Sequence, residues 1–377
     1  MAEIVITTVG CSLITKYLEA NEDRILQSKL KLYAKERYNE RTVNDLKSLK
    51  NKLFSWAKDN IPNASAEITS LQKIQQFLNR PLEVYLISTD SIESSLIAGI
   101  LKDIFHDHDE IKIYFNPQTD VIKGLQVYIM NELRSRGLPN LIKRINDIAG
   151  GFYKNVAFNI SGGYKGIIPY LALMGFVNNC DIYYIFEESE ELIRIPRAPV
   201  AIDVELFEKY LREIVSLQDG VSYGQFKKEN YQVIEELEQR GLVESADDIA
   251  YLSPLGNILF NSYTNEHFIF YVTDEVERER GKQKEIERIL STKFWDKQQR
   301  DSKTEIKTQG RGKHRVYDDG NNPNRIYYFE RDDKVYIYKI FENEETAKAY
   351  IAEPLNEENV IGKSQIQKIR KQVRSDV

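Results

Sequence analysis

Short apolar runs alternate with longer segments of helical spacing through the first two hundred residues. The apolar runs are "EIVITTV", "EVYLI", "IKIYF", "NVAFN" and "DIYYIF". Strands that alternate with helices predict a mostly parallel sheet covered on both faces. Residues 21–60 are rich in Lys, Leu and Glu with helical spacing, and Pro62 follows them. They predict helices laid against an edge of that sheet.

The pattern changes after residue 203 to short amphipathic helices. They are "ELFEKYLREIVSLQ", "SYGQFKKE" and "YQVIEELEQRGLVES", and a strand-like "IAYLSPLGNILFNSY" follows. Three helices and a small hairpin predict a winged helix-turn-helix over residues 204–272. Its expected recognition helix, "ENYQVIEELEQRG", is acidic, which disfavours contact with DNA phosphates. A connector or dimer brace is therefore favoured over a DNA reader.

A third pattern begins at Thr273 with a charged helical pair. Strands "HRVY", "NRIYYFER" and "KVYIYKIF" follow, which predicts two helices packed on an antiparallel sheet of three or four strands. The tail, residues 357–377, is expected to form a helix or an arm. The tyrosines of these strands alternate with isoleucines and are expected in the core or in cross-strand pairs. The predicted domains are thus residues 1–203, 204–272 and 273–377.

Composition narrows the class of protein. The chain has 377 residues, 42% of them hydrophobic, enough for two or three domains with cores. Two cysteines and four scattered histidines provide neither a disulfide framework nor zinc-ligand spacing. The first residues form no signal-peptide pattern, and no apolar run approaches the roughly 18 residues of a membrane span. We expect a reduced, cytoplasmic protein that binds neither metal nor membrane.

Charge is distributed unevenly along the chain. The net charge is −6, yet residues 278–315 hold thirteen Lys and Arg against six Asp and Glu. Only the C-terminal part is therefore expected to bind a polyanion.

The stretch "NISGGYKG" is the strongest local signal for chemistry. Gly162 and Gly163 allow backbone N–H groups to approach a phosphate, Ser161 adds a hydroxyl and Lys165 a positive charge. The spacing fits neither a Walker A loop nor GxGxxG, and an ordinary tight turn remains the alternative.

Two further turns end strands that could lie beside it. They are Gly10-Cys11-Ser12 and Thr89-Asp90-Ser91. Since ligands bind at the carboxyl ends of parallel strands, we expect all three turns to contact one ligand. Asp90 has a helix N-cap as its alternative role.

The N-terminal 200 residues resemble the CARF domains of CRISPR-associated effectors. The resemblance rests on the small-residue turn in "TTVGCSL" and the later glycine-rich turn with lysine in "NISGGYKG". It implies an α/β, Rossmann-like domain that dimerises and binds a cyclic oligoadenylate across the two-fold axis. Cyclic tetra-adenylate is the expected ring, as an allosteric activator and not a cofactor. Members of the family usually carry a CARF domain, then a winged helix, then an effector domain, which is the order predicted here.

Residues 274–351 resemble the RelE superfamily of ribosome-dependent mRNA interferases. The resemblance rests on the charged helical hairpin, a basic strand leading to "NRIYY" and a late tyrosine. It implies an α+β RelE-like domain that binds ribosome and mRNA and cleaves by 2′-OH attack without a metal. Arg325 matches the family's central strand arginine, Arg315 the basic residue of the preceding strand, and Tyr350 the late tyrosine.

Two positions depart from the RelE pattern. Tyr317 falls where the family has a second basic residue, and Glu344 lies where another is expected. Lys313, His314 and Arg311 are the nearest replacements, and His314 could act as a general acid or base near neutral pH. A solvated cation is the ordinary alternative for each arginine.

The two resemblances together imply a cyclic oligoadenylate-activated, ribosome-dependent mRNA endoribonuclease of type III CRISPR defence. A ligand-responsive, DNA-binding transcription regulator is the alternative from another class. A third hypothesis is that the CARF domain itself degrades its ligand, with Ser12, Ser161 or Lys165 aligning a ribose 2′-OH.

Overall fold

The computed structural model describes residues 2–33, 36–126, 128–186, 191–198, 200–280, 284–320 and 323–372. The chain forms two compact units, Met1–Ser262 and Tyr263–Val377. The first unit holds most of the residues of both the expected sensor domain and the expected winged helix.

The first unit contains ten strands and fifteen α-helices among the described residues. The strands are β1 Glu3–Val9, β2 Leu82–Thr89, β3 Ile111–Tyr114, β4 Val121–Ile122, β5 Val156–Asn159, β6 Asp181–Ile185, β7 Leu192–Ile195, β8 Val221–Ser222, β9 Val243–Ala246 and β10 Ile249–Leu252. The helices are α1 Ser12–Asn21, α2 Arg24–Tyr33, α3 Glu40–Asp45, α4 Lys47–Asp59, α5 Ala66–Leu78, α6 Ile92–Ile104, α7 Pro117–Asp120, α8 Met130–Glu132, α9 Leu138–Ala149, α10 Ile168–Val177, α11 Val204–Lys209, α12 Leu211–Gln218, α13 Tyr223–Glu229, α14 Tyr231–Gln239 and α15 Pro254–Glu266. A π-helical turn, Leu133–Gly137, precedes α9, and a 3₁₀ turn, Lys165–Ile167, precedes α10.

Seven of these strands form one sheet in the order β3-β2-β1-β5-β6-β7, with β4 beside the end of β2. All pairs are parallel except β6 with β7. The sheet is thus mixed α/β with a parallel centre, as the alternating pattern predicts.

Neighbouring residues of each central strand enter different cores. Val5 of β1 and Ala157 of β5 are buried on one face, whereas Ile6 and Phe158 are buried on the other. Alternation of side chains across a strand explains this division, and helices cover both faces. Helix α4, expected at a sheet edge, instead packs on α6.

A small antiparallel sheet, β8-β10-β9, accompanies helices α11–α15. The segment expected to be strand-like forms only β10, and α15 begins directly after it. The Ser253 hydroxyl accepts the Gly256 N–H at 3.0 Å, and Pro254 occupies the first helical position. A serine cap followed by proline starts a helix, and this local signal outweighs the apolar run of the segment.

The second unit is one six-stranded sheet with helices on both faces. Its strands are β11 His267–Thr273, β12 Thr304–Gln309, β13 Gly312–Tyr317, β14 Arg325–Arg331, β15 Lys334–Phe341 and β16 Ser364–Arg370. Its helices are α16 Asp274–Arg280, α17 Lys284–Ile289, α18 Lys297–Ser302, α19 Glu344–Tyr350 and α20 Glu357–Lys363, with a π-helical turn at Leu290–Phe294.

The strand order is β12-β13-β14-β15-β11-β16. The prediction of three or four antiparallel strands was wrong in two respects. Strand β11 was not predicted, and its residues up to 272 fall in the predicted winged-helix segment. It pairs parallel with β15, and the tail contributes β16 as well as a helix. Pairing with β16 along seven residues covers the edge that β11 would otherwise leave open.

The tyrosines of this sheet are in its two cores, as expected. Tyr328 lies on the face covered by Phe294, their rings 5.1 Å apart edge-to-face. Tyr327 and Tyr338 lie on the other face, beside α19.

Arg300 and Glu330 form a buried ion pair that ties α18 to β14. The Arg300 side chain is 4% exposed, and its Nη2 lies 2.6 Å from a Glu330 carboxylate oxygen. Burial acts to raise the pKa of Glu330, but hydrogen bonds from Lys297 and Arg300 outweigh it and lower that pKa below 4.5.

We predict that Glu330→Gln destabilises the second unit by about 3 kcal/mol, because it leaves the Arg300 charge buried without a counter-charge. Glu358→Gln, which removes the 74% exposed partner of Arg331, should cost far less, because solvent screens that pair. Denaturant unfolding followed by Trp295 fluorescence in a Trp56→Phe background measures both. Equal destabilisation by the two substitutions would contradict the assignment of Arg300 and Glu330 as a buried ion pair.

The lowered pKa also gives a pH dependence. The stability that ionised Glu330 contributes is complete above the unfolded pKa of 4.5 and is lost as the pH falls through the lower folded pKa. The Glu330→Gln variant should lack this acid-dependent component. Denaturant unfolding of both proteins at a series of acidic pH values measures the difference.

Candidate functional site

The first and last of the three predicted turns line one cleft of about 580 Å³. Gly10, Cys11 and Ser12 contribute from the first turn, and Ser161, Gly162, Gly163 and Lys165 from the last. Side chains of α1, α5 and β6 complete the wall. The structure brings these two turns together as expected, and ligand binding between them stays a prediction.

The sheet determines where the two turns lie. Strands β1 and β5 are parallel neighbours, with Thr7 beside Asn159, so both strands end at the same edge of the sheet. The Thr8 hydroxyl then donates to the Gly162 carbonyl at 2.9 Å. Gly163 adopts φ +95°, and a Cβ there would overlap the Thr8 hydroxyl. Glycine is required at this position by both conformation and space.

Glu67, on the first turn of α5, is a residue of this site that the sequence did not reveal. Its side chain is fully buried, and its carboxylate accepts the Gly10 N–H at 2.8 Å and the Ser12 hydroxyl at 2.6 Å. A Cβ on Gly162 would overlap the same carboxylate. The only local signal is an acid two residues after the Ser65 cap, which is common in helices that bind nothing.

The remaining groups at the cleft include N–H donors, two lysines and one acid, Glu19 of α1. Helix α1 begins at Ser12 with no side-chain cap from Cys11, so N–H groups of its first turn have no side-chain acceptor from the cap residue. Lys165 is exposed at the start of the 3₁₀ turn. Lys16 also lines the cleft, with its ammonium 2.8 Å from the Asn63 carbonyl.

The middle turn, Thr89-Asp90-Ser91, does not line this cleft. Asp90 is buried and accepts the Gly124 N–H at 3.0 Å, which fixes the loop after β4. Ser91, and not Asp90, caps α6. Thr89 and Ser91 bond each other through their hydroxyls. These polar groups bond one another, the loop after β4 and the start of α6. Only two of the three expected turns therefore meet at the cleft.

In the second unit, Arg315 and Arg325 are bound to different carboxylates. Arg315 donates to Asp301 at 2.8 Å and to the Tyr328 hydroxyl at 3.1 Å. Arg325 is 2.8 Å from Asp318, and its side chain is 13% exposed. Arg325 is therefore not the solvated cation of the ordinary alternative, whereas the side chains of Arg315 and Asp301 are 37% and 42% exposed.

His314 is a packed residue and not an exposed acid or base. It is 1% exposed, with Nε2 2.8 Å from the Glu353 carbonyl and Nδ1 2.8 Å from the Tyr338 hydroxyl. Because a carbonyl only accepts, Nε2 donates to Glu353, and with Nδ1 against the Tyr338 hydroxyl both ring nitrogens are occupied. The prediction of a proton-transfer role therefore does not fit.

The two candidate tyrosines lie in different surroundings. Tyr317 is 1% exposed and packs edge-to-face on Phe294, and burial raises its pKa. Tyr350 is half-buried on α19, with its ring 5.3 Å from that of His314. The sheet separates them: Tyr317 lies in the core that α17 covers, and Tyr350 lies beside the core on the opposite face.

Ion pairs neutralise much of the positive charge counted in residues 278–315. The side chains that contact carboxylates within the unit are Arg280, Arg288, Lys293, Lys297 and Arg300. Two basic side chains of the β12–β13 hairpin are not neutralised in this way.

Arg311 and Lys313, on the β12–β13 hairpin, are exposed and form no ion pair with a described residue. This hairpin is the part of the region best placed to attract a polyanion.

Two features are absent from the described residues. No three His, Cys, Asp or Glu side chains are grouped as a metal would need. None of the helices has both the length and the apolar character required to cross a bilayer.

The fold and cleft define an α/β domain with a candidate ligand site at the carboxyl ends of its parallel strands. Residues 62–198 match the model of a family described as CRISPR-associated protein (Cas_APE2256). That match includes the turn from Ser161 to Lys165 and Glu67, and ends before the second unit.

No curated protein matches the chain. Among solved structures, it is similar to that of Can2 from Sulfobacillus thermosulfidooxidans in complex with cyclic tetra-adenylate. The identity is 12%, the alignment covers 96% of this chain and 82% of that one, and the TM-score is 0.23. This likeness is too weak to carry fold or function to the present chain.

We predict that Gly163→Ala destabilises the first unit by at least about 2 kcal/mol, because it adds overlap with Thr8 to the cost of a positive φ. Gly150→Ala also places alanine at positive φ, but in open space, and should cost about 1 kcal/mol. Denaturant unfolding followed by Trp56 fluorescence in a Trp295→Phe background compares them. A smaller cost at Gly163 would show that the two turns are not locked together.

Proposed function

We propose that this protein is a cyclic oligoadenylate-responsive effector of type III CRISPR defence. The first unit binds the messenger in the cleft between the Gly10–Ser12 and Ser161–Lys165 turns. The observation that carries the proposal is the convergence of these two turns, within and beside a region that matches a CRISPR-associated family.

The chemistry of the cleft suits a phosphodiester ring. Lys165 supplies positive charge, the first turn of α1 supplies N–H donors, and Gly163 lets the backbone approach closely. Ile168, Pro169 and Tyr184 supply apolar surface at the same cleft, which an adenine base can cover.

We further propose that two copies of the chain share the ligand. Helix α10 has no charged residue, yet Ile168, Tyr170, Leu173 and Phe176 are only half-buried and Pro169 is exposed. A helix that is apolar all round is normally covered. Because Ile168 and Pro169 also line the cleft, a second copy covering α10 would complete the ligand site.

Lys165→Ala should weaken binding of cyclic tetra-adenylate by at least about tenfold, because it removes a cation that faces phosphate. Lys154→Ala removes another exposed lysine, outside the cleft, and should change the dissociation constant less than twofold. Isothermal titration calorimetry measures both. Normal binding by the Lys165 variant would show that the ligand site lies elsewhere.

For the second unit we propose a RelE-like, ribosome-dependent mRNA endoribonuclease. Support comes from the sequence resemblance and from the basic strand Gly312–Tyr317 with Arg311 before it. In the proposed reaction, the RNA 2′-OH attacks the adjacent phosphorus, the P–O5′ bond breaks, and a 2′,3′-cyclic phosphate and a 5′-hydroxyl form.

Arg325 is assigned to the negative charge of the transition state. Arg315 lies against Tyr328, on the opposite face of the sheet from Tyr327 and Arg325, and is assigned to another RNA phosphate. Each arginine must exchange its aspartate for RNA phosphate, because Asp301 and Asp318 occupy them in this structure.

The other candidates of the second unit receive different roles. Lys313 is assigned to the RNA backbone, and Tyr350 to substrate contact at the edge of the aromatic core. Tyr317 and His314 are assigned to support of β13, because both are buried.

Arg325→Ala should abolish ligand-stimulated mRNA cleavage in a translation extract while leaving cyclic tetra-adenylate binding unchanged. Arg370→Ala, which removes a 78% exposed arginine of the outer strand β16, should retain cleavage. Primer extension on the mRNA measures the cuts, with and without ribosomes. Equal cutting of naked RNA, or full activity of the Arg325 variant, would exclude this mechanism.

The structure adds no support for the transcription-regulator alternative. Helix α14 presents Glu235 to solvent, and Glu236 is paired with Lys209 and Arg240. An acidic helix opposes DNA phosphates.

Degradation of the messenger in the cleft stays a prediction. Ser12 is a poor candidate for aligning a ribose 2′-OH, because Glu67 holds its hydroxyl.

A further inference from the structure

Glu67 presents an electrostatic problem for the proposed sensor. Its fully buried carboxylate lies directly behind Gly10, Ser12 and Gly162, all of which line the cleft proposed to bind an anion. No ion pair joins Glu67 to a lysine, arginine or histidine in the part of the chain that the structure describes, and its partners are the neutral donors of Gly10 and Ser12. A buried charge of this sign repels a phosphate near it.

The Ser12 hydroxyl and the Gly10 N–H are both engaged in hydrogen bonds to Glu67. Ser12 Oγ donates its proton to Glu67 at 2.6 Å and accepts the Ala66 N–H at 3.2 Å. The Gly10 N–H also points at Glu67, at 2.8 Å. Two donors that belong to the predicted phosphate-binding turn are therefore directed away from the cleft.

On the opposite turn, the Asn159 amide oxygen accepts the Ser161 N–H at 3.2 Å, but no carboxylate holds the Ser161 hydroxyl among the described residues. The Ser161 hydroxyl accepts the Ile185 N–H at 3.0 Å, so its proton is not consumed by that bond. Lys165 is exposed on the same turn. The two turns thus differ in their available donors: the Ser161–Lys165 turn keeps a hydroxyl proton and an exposed lysine, whereas the Gly10 N–H and the Ser12 hydroxyl are held by Glu67, whose carboxylate also lies against Gly162.

We propose that Glu67 sets the affinity of the cleft by withholding the Gly10 N–H and the Ser12 hydroxyl from phosphate and by opposing its charge. The proposal rests on the proposed function, since the phosphate it concerns is that of the bound messenger. A ligand is then anchored at the Ser161–Lys165 turn and remains readily exchangeable. Glu67 acts through other groups and is a positioning residue.

Two substitutions release the withheld donors. In Glu67→Gln the amide oxygen accepts the Gly10 N–H and the amide NH₂ donates to Ser12 Oγ, which frees the Ser12 proton for the ligand. In Glu67→Met the Ser12 hydroxyl is freed to turn toward the ligand, the Gly10 N–H loses its acceptor, and the apolar chain of similar length suits a buried helical position. Each variant also removes the negative charge, so binding of cyclic tetra-adenylate should tighten by about tenfold.

Glu93→Gln is the matched control. Glu93 is the second residue of α6, as Glu67 is of α5, and it does not line the cleft. Its change should alter the dissociation constant less than twofold. Addition of Ser12→Ala to Glu67→Gln should remove the part of the gain that comes from the freed hydroxyl and leave the part that comes from the lost charge. A purely structural role of Glu67 would instead weaken binding in both Glu67 variants.

Calorimetry with cyclic tetra-adenylate and ³¹P NMR with inorganic pyrophosphate form the two arms of the test. Tighter binding by Glu67→Gln or Glu67→Met, with Glu93→Gln unchanged, supports the proposal. If the natural protein binds no cyclic oligoadenylate, the proposed function fails, and the pyrophosphate arm still decides the role of Glu67. Folded Glu67 variants that bind pyrophosphate no better than the natural protein would overturn it.

Discussion

The close approach of two backbone turns at the carboxyl edge of the parallel sheet is the constraint on which the proposed site depends. The Thr8 hydroxyl joins Gly162, and Gly163 takes a conformation and a space that exclude a side chain. Glu67 fastens the first turn from behind through its hydrogen bonds to the backbone and to a serine hydroxyl. Everything assigned to the cleft, from the exposed Lys165 to the start of α1, is positioned by this junction.

A different physical condition governs the second unit, where charge is abundant but largely compensated. Arg315 and Arg325, the residues proposed to bind RNA phosphates, each contact an aspartate. An RNA phosphate must therefore displace a carboxylate before it is bound. Arg311 and Lys313 are exposed and form no ion pair with a described residue, so the attraction of the hairpin for a polyanion rests on these two side chains.

Particular residues show which features could be predicted from the sequence. The Gly10–Ser12 and Ser161–Lys165 turns each follow an apolar strand, and neighbouring parallel strands bring their ends to one edge. The Thr89–Ser91 turn has similar local composition, but its groups bond a nearby loop and cap α6, which composition alone does not distinguish from a ligand site. Glu67 and His314 take their roles from residues distant in sequence, and so no local pattern revealed them.

The central claim is that two chains share one cyclic oligoadenylate between their glycine-rich turns. Isothermal titration calorimetry of the purified protein with rings of three, four and six adenylates, combined with light scattering, tests it most directly. The account predicts a dimer that binds one tetra-adenylate ring per two chains. Absence of binding by every ring, or one ring per chain on a monomer, would contradict it.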